Sequence, residues 1–123
     1  QDPRVVVLEG VNARHLTTQH VPEPVDLVVC DTSFIGLEVV LPAPLALARP
    51  GAALVALIKP QFEVGPERVG KGGVVRDESL HAEVVARIGN WLTSLGWTVV
   101  GTDPSPILGP AGNREFLIAA CHA

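Results

Sequence analysis

Three apolar runs in this chain each carry an ionisable residue at one end: Val25-Asp26-Leu27-Val28-Val29-Cys30-Asp31, Ala52-Ala53-Leu54-Val55-Ala56-Leu57-Ile58-Lys59, and Arg114-Glu115-Phe116-Leu117-Ile118-Ala119-Ala120. Brought together, Asp31, Lys59 and Glu115 would make a site for binding and proton transfer. A free lysine has a pKa of about 10.4. To work as a base near neutral pH it needs desolvation or a neighbouring cation. An aspartate alone shifts the amine the other way, although it can orient it, and no second cation stands at an obvious strand end. A partly buried ion pair at a sheet edge is the plainer alternative, and spacing leaves the two open.

The elements follow from the same runs. The first two read as buried parallel strands whose carboxyl ends deliver Asp31 and Lys59, the edge where open α/β sheets bind ligands. An antiparallel third strand would bring Glu115 to that edge. Arg4 to Gly10 reads as an earlier β-branched strand, and Asn12 to His20 as a short helix before Pro22-Glu23-Pro24. Asp31-Thr32-Ser33 offers cap chemistry to a helix over Phe34 to Ala48, which Pro42 and Pro44 should kink or split. Pro50-Gly51 turns the chain into the Lys59 strand.

Pro60 to Val75 is a long irregular stretch. Asp77 is the candidate cap of the clearest helix, with Leu80, Val84, Val85, Ile88, Trp91, Leu92 and Leu95 at helical spacing and Gly96 at its end. Trp97 to Val100 and Asn113 to Cys121 read as strands around a Pro/Gly loop from Asp103 to Gly112. Alternating strands and helices imply a parallel sheet with right-handed crossovers, and only the short last connection implies an antiparallel pair.

At 123 residues, with 47% hydrophobic and 18% charged residues, the chain is one domain at most and neither disordered nor a coiled coil. No run approaches the roughly 20 apolar residues of a membrane span. No signal peptide is recognisable, and the two cysteines read as small buried hydrophobes, so a cytoplasmic protein is expected. The formal charge of −4 and only nine Lys and Arg sit awkwardly with nucleic-acid binding. Three of those cations, Arg68, Lys71 and Arg76, fall in the glycine-rich stretch. That stretch is not a P-loop, and reads equally as a mobile substrate flap or a surface loop. His15, His20, His81 and His122 lack ligand spacing, so no metal site is expected. Ser33 lacks the elbow of a serine nucleophile. A doubly wound sheet normally opens with a strand, a glycine-rich turn and a helix. Nothing before Arg4 supplies these, so the chain reads as the second portion of a larger domain.

Asp31-Thr32-Ser33-Phe34-Ile35, Lys59-Pro60-Gln61-Phe62-Glu63, Val69-Gly70-Lys71-Gly72-Gly73-Val74-Val75-Arg76-Asp77 and Gly109-Pro110-Ala111-Gly112-Asn113-Arg114-Glu115-Phe116 resemble the TlyA (haemolysin A) family. Glu9-Gly10-Val11-Asn12-Ala13-Arg14 resembles that family's preceding strand end. The resemblance implies a partial Rossmann-like class I methyltransferase fold of the FtsJ type. In it, a mostly parallel α/β sheet ends in an antiparallel strand, and the first strands and cofactor loop are missing. Residues 1–123 would be the C-terminal portion of that domain. It further implies S-adenosylmethionine-dependent 2′-O-methylation of cytidine ribose in ribosomal RNA.

The family's Lys-Asp-Lys-Glu tetrad maps Asp31, Lys59 and Glu115 onto its last three members, with the first lysine upstream. Lys59 would take the 2′-hydroxyl proton, Asp31 would orient Lys59, and Glu115 would position lysines and sugar. Glu9, Gly10, Val11, Asn12 and Asp31 would contact the cofactor, and Arg68, Lys71 and Arg76 the substrate. Competing readings are a membrane-active haemolysin, half of another nucleotide-binding enzyme such as a nicotinamide oxidoreductase, or a binding scaffold. With cofactor loop and first lysine absent, residues 1–123 alone are expected to bind cofactor poorly and transfer no methyl group. A transfer assay on ribosomal RNA checks this, and robust turnover by these residues would overturn it.

Overall fold

The computed structural model describes residues 2–123. Four strands, β1 (Val25–Cys30), β2 (Ala48–Ile58), β3 (Trp97–Pro104) and β4 (Phe116–His122), form one sheet in the order β1-β2-β4-β3. β1 and β2 pair in parallel, while β4 runs antiparallel to both β2 and β3. Three strands therefore share one direction and β4 alone opposes them, as the short final connection implies. β2 starts earlier than expected, because Val25 pairs with Ala48 ahead of the Pro50-Gly51 bend.

Alternation along β2 explains the layers. Ala52, Leu54, Ala56 and Ile58 are buried on one face, where they meet Ile118 and Ala120 of β4 and the helices. The other face is less covered: Leu27, Val29 and Val55 stay exposed. The sequence expectation of strands buried on both sides therefore holds for one side only, since the described helices all pack on the first face.

The expected helix after Asp31 is split, as the prolines require, into α1 (Leu37–Val40) and α2 (Pro42–Ala46). Pro42 tolerates the first turn of α2 because it needs no intrahelical N–H there. α3 (Glu78–Ser94) is the longest element. Asp77 caps it, accepting the Ser79 N–H at 2.9 Å, and Leu80, Val84, Ile88 and Leu92 bury an i, i+4 stripe. Gly96 follows at φ 89°, a conformation that glycine adopts freely. None of these helices is long and apolar enough to cross a membrane.

Further expectations differ: Asp31-Thr32-Ser33 does not cap the helix that follows, since Gly36 stands at the start of α1 with no side-chain cap. Residues 4–9 form no strand, and Val5, Val6 and Val7 are exposed. An extended β-branched segment becomes a strand only when a neighbour completes its ladder, and none of the described strands lies beside it. Asn12 to His20 holds only a 3-10 turn, Ala13–His15, whose cap Asn12 accepts the Arg14 N–H.

Ile88 is fully buried in the core cluster that the sheet shares with α1, α2 and α3, whereas Val100 is exposed. Ile88→Ala should cost about 2–5 kcal/mol in urea unfolding, and Val100→Ala less than about 0.5 kcal/mol.

Candidate active site at the strand ends

Asp31 and Lys59 each follow the last residue of a strand, β1 and β2, and the parallel pairing brings them to the same edge. The Lys59 ammonium lies 2.5 Å from Asp31 Oδ1 and donates to Ser33 Oγ at 3.3 Å. Only 11% of the lysine side chain is exposed, against 67% of the aspartate. The stem is thus packed while the head is held between two oxygens of the loop after β1. So exposed an acid is screened by water, and the pair orients the amine more than it stabilises the fold.

Glu115 sits on the neighbouring rung. Ile58 pairs with Phe116, so the next step of the antiparallel register sets Lys59 opposite Glu115. The two side chains form no ion pair. Instead the buried Glu115 carboxylate accepts the Gln61 amide N–H at 3.0 Å, while the Gln61 carbonyl oxygen is buried without a partner among the described residues. Glycine at position 109 permits this approach, since a Cβ there would displace the Glu115 carboxylate. The structure therefore joins Asp31, Lys59 and Ser33 directly, whereas Glu115, on the neighbouring rung, is held by Gln61, two residues after Lys59.

The glycine-rich stretch is pinned, not free. Buried Asn113 accepts the Val75 N–H at 2.9 Å and donates to the Gly73 and Pro110 carbonyls at 2.9 and 3.0 Å. His81 adds a 2.7 Å hydrogen bond to the Val75 carbonyl and packs edge-on against Phe116. Arg68 is paired with Glu83 on α3 at 2.7 Å, and Arg76 donates to the Lys71 carbonyl at 3.0 Å. Of the substrate-loop candidates, then, Lys71 and Arg76 keep unpaired charges and Arg68 does not.

Glu9 and Gly10 lie in an exposed bend, with Gly10 at φ 72°, and Val11 is half-buried. Their separation from any strand leaves Asp31 as the one cofactor candidate on a strand end. Phe34 is held at φ 64°, 89% exposed, with its ring 4.9 Å from Phe62. A bulky residue held at positive φ carries strain. Burial raises the Cys30 thiol pKa beside the site.

Sequence reasoning gave no role to Gln61, Glu63 or Asn113 within the motifs it singled out, and saw in His81 only a histidine without ligand spacing. The first two lie two and four residues after Lys59, where a chain leaving a strand end folds back over it. Nothing in local spacing marks Asn113, whose partners lie up to 40 residues away.

These motifs and this sheet define a class. The FtsJ-like methyltransferase profile matches residues 1–121, and the chain belongs to that family. The 16S/23S rRNA (cytidine-2′-O)-methyltransferase TlyA of Mycobacterium tuberculosis is 51% identical over 117 residues, covering 95% of this chain and 44% of the relative. Hemolysin A of Brachyspira hyodysenteriae is 32% identical over 94% of the chain and 49% of its own length. A solved protein of Streptococcus thermophilus, provisionally named a hemolysin, superposes with a TM-score of 0.93 at 37% identity, over 100% of this chain and 45% of that one. The chain thus spans less than half the length of these relatives.

Glu63 ties the site's supports together. Its carboxylate accepts the Leu37 N–H at the start of α1 and pairs with Arg87 of α3 at 2.8 Å. Burial raises its pKa, outweighing those two partners. The folded state therefore holds the Glu63 proton more tightly than the unfolded chain does. Stability contributed by that proton is present below the ordinary glutamate value of 4.5 and is lost as pH rises through the higher folded value. Urea melts of Glu63→Gln and wild type should show the variant gaining relative stability from pH 4 to 7.5, by about 1.4 kcal/mol for each tenfold by which folding tightens the hold on the proton. A pH-independent difference would refute this.

Proposed function

We propose that this chain forms the C-terminal portion of the methyltransferase domain of a ribosomal-RNA 2′-O-methyltransferase, acting on cytidine ribose with S-adenosylmethionine. The observation that carries the reading is the Lys59 ammonium clamped between Asp31 and Ser33 at the carboxyl ends of two parallel strands. Membership of the FtsJ-like family and half-length identity to a cytidine 2′-O-methyltransferase support it. Ribosomal RNA as partner implies a cytoplasmic full-length protein.

The donor set suits a cationic, nucleoside-bearing cofactor. Asp31 is largely exposed, and its Oδ2 has no hydrogen bond among the described residues. Beside it, Val29, Val55 and Leu57 leave a shallow apolar hollow. Asp31 would hold the cofactor's polar groups, with the Glu9-Gly10-Val11-Asn12 bend as further contacts. When bound, S-adenosylmethionine supplies an electrophilic methyl group.

The protein's own part is orientation and proton handling. Lys59, once its amine is in the neutral form that a neighbouring cation such as the tetrad's upstream lysine would favour, receives the proton of the ribose 2′-hydroxyl at Nζ. Asp31 and Ser33 fix the direction of that nitrogen, so the hydroxyl meets it in one geometry. Glu115, held by Gln61, sets the neighbouring wall of the sugar site.

In the full-length protein, Lys59→Ala should lower methyl transfer to ribosomal RNA by about 10²–10⁴-fold, the range of a lost acid–base group, with cofactor affinity unchanged. Retention of activity within tenfold, measured by incorporation of labelled methyl, would remove Lys59 from the reaction.

A further inference from the structure

Positive charge in this acidic chain is distributed unevenly. Arg4, Arg49, Lys59, Arg68 and Arg87 are each paired with a carboxylate. Of the nine Lys and Arg residues this leaves Arg14, Lys71, Arg76 and Arg114 without a carboxylate partner among the described residues. Three of these four gather at one place. Arg76 and Arg114 line the same groove, and Arg76 reaches the backbone of Lys71.

That groove, of about 950 Å³, lies between the first turns of α3, the end of β3 and the loop before β4. Val75, Val85 and Phe116 give it an apolar floor. Glu78 and Asp103 also line it, and neither pairs with an arginine. Its connection to the reaction site is covalent and rigid. Arg114 precedes Glu115, Phe116 is paired with Ile58 beside Lys59, and Asn113 fastens Val75 to the same loop.

An apolar floor takes the face of a base, unpaired guanidinium groups take phosphate oxygens, and carboxylates accept from exocyclic amino groups or sugar hydroxyls. We propose that the groove is a nucleotide subsite of the RNA substrate. It seats the base of a nucleotide flanking the methylated ribose, with backbone phosphates on Arg76 and Arg114 and Lys71 beside them. This rests on the methyltransferase reading above, and it locates substrate recognition within the catalytic domain itself. With Lys71 beside them, Arg76 and Arg114 outnumber Glu78 and Asp103, and that surplus positive charge next to an apolar floor favours RNA over other occupants. An acidic peptide would use the arginines but leave the flat apolar floor without a stacking partner.

The experiment uses the full-length protein and its ribosomal-RNA substrate. Arg76→Gln with Arg114→Gln should raise KM for RNA at least tenfold at fixed kcat and cofactor affinity. It should also flatten the dependence of log K on log salt by about 1.4, the release expected for two single-strand phosphates. Filling the groove with Ala82→Phe, on the exposed side of α3, should raise KM while leaving that salt slope intact. If the arginine pair changes neither KM nor salt slope while Lys59→Ala abolishes transfer, the subsite is wrong and the methyltransferase reading stands. If Lys59→Ala leaves transfer intact, the underlying reading fails. A response to the arginine pair without any response to Ala82→Phe would limit the groove to a phosphate contact and overturn the seating of a base.

Discussion

β4 is hydrogen-bonded on both sides, to β2 from Ile58↔Phe116 to Ala53↔Cys121 and to β3 along its whole length. Its direction is what the rest of the molecule depends on. A parallel strand in that slot would deliver its carboxyl end to the site and leave its first residues at the far edge. Because β4 runs the other way, the loop before it arrives at the edge that carries Asp31 and Lys59, bringing Asn113, Arg114 and Glu115 with it. The register then decides which residue faces Lys59. A slip of one residue would turn Ile118 and Ala120 out of the core, so burial holds the site in register.

The polar scaffold around this edge is built from buried groups that are almost all satisfied. Asn113 uses its oxygen and nitrogen on three backbone groups, and its own carbonyl accepts the Gly109 N–H at 2.7 Å. Glu63 joins the start of α1 to α3, and His81 joins α3 to the glycine-rich stretch. Satisfied networks of this kind rigidify what they connect, whereas a single missing partner is costly. The exception is Gln61, whose carbonyl oxygen is unpaired next to Glu115. It is an acceptor that the folding network leaves over at the site.

Local pattern carried the sequence reading far. The capped i, i+4 stripe of α3, the proline-split helix and the antiparallel final pair all depend on interactions within a few residues or on loop length, and the structure contains each. Asp31 and Lys59 were legible because strand ends are marked by where an apolar run stops. The failures share a cause. Arg4 to Gly10 has strand composition but no neighbour, and pairing is not written in composition. Arg68 looked like an available cation until α3 placed Glu83 against it. Asn113 reads as loop chemistry, and its role appears only when residues distant in sequence meet.

The charge of the chain shows why a net value is a poor guide to its partners. A total of −4 argues against polyanion binding only if cations are spread evenly. Here carboxylates pair five of the nine cations, and three of the remaining four, Lys71, Arg76 and Arg114, gather around the groove before β4. The same geometry that anchors Arg68 to Glu83 and Arg87 to Glu38 and Glu63 therefore does two things. It fixes the helical supports of the site, and it removes competing positive surface from the outer face of α3. In the proposed groove, a phosphate would meet Lys71, Arg76 and Arg114, none of which pairs with a carboxylate among the described residues. Substrate orientation would then follow from folding contacts made long before any ligand arrives.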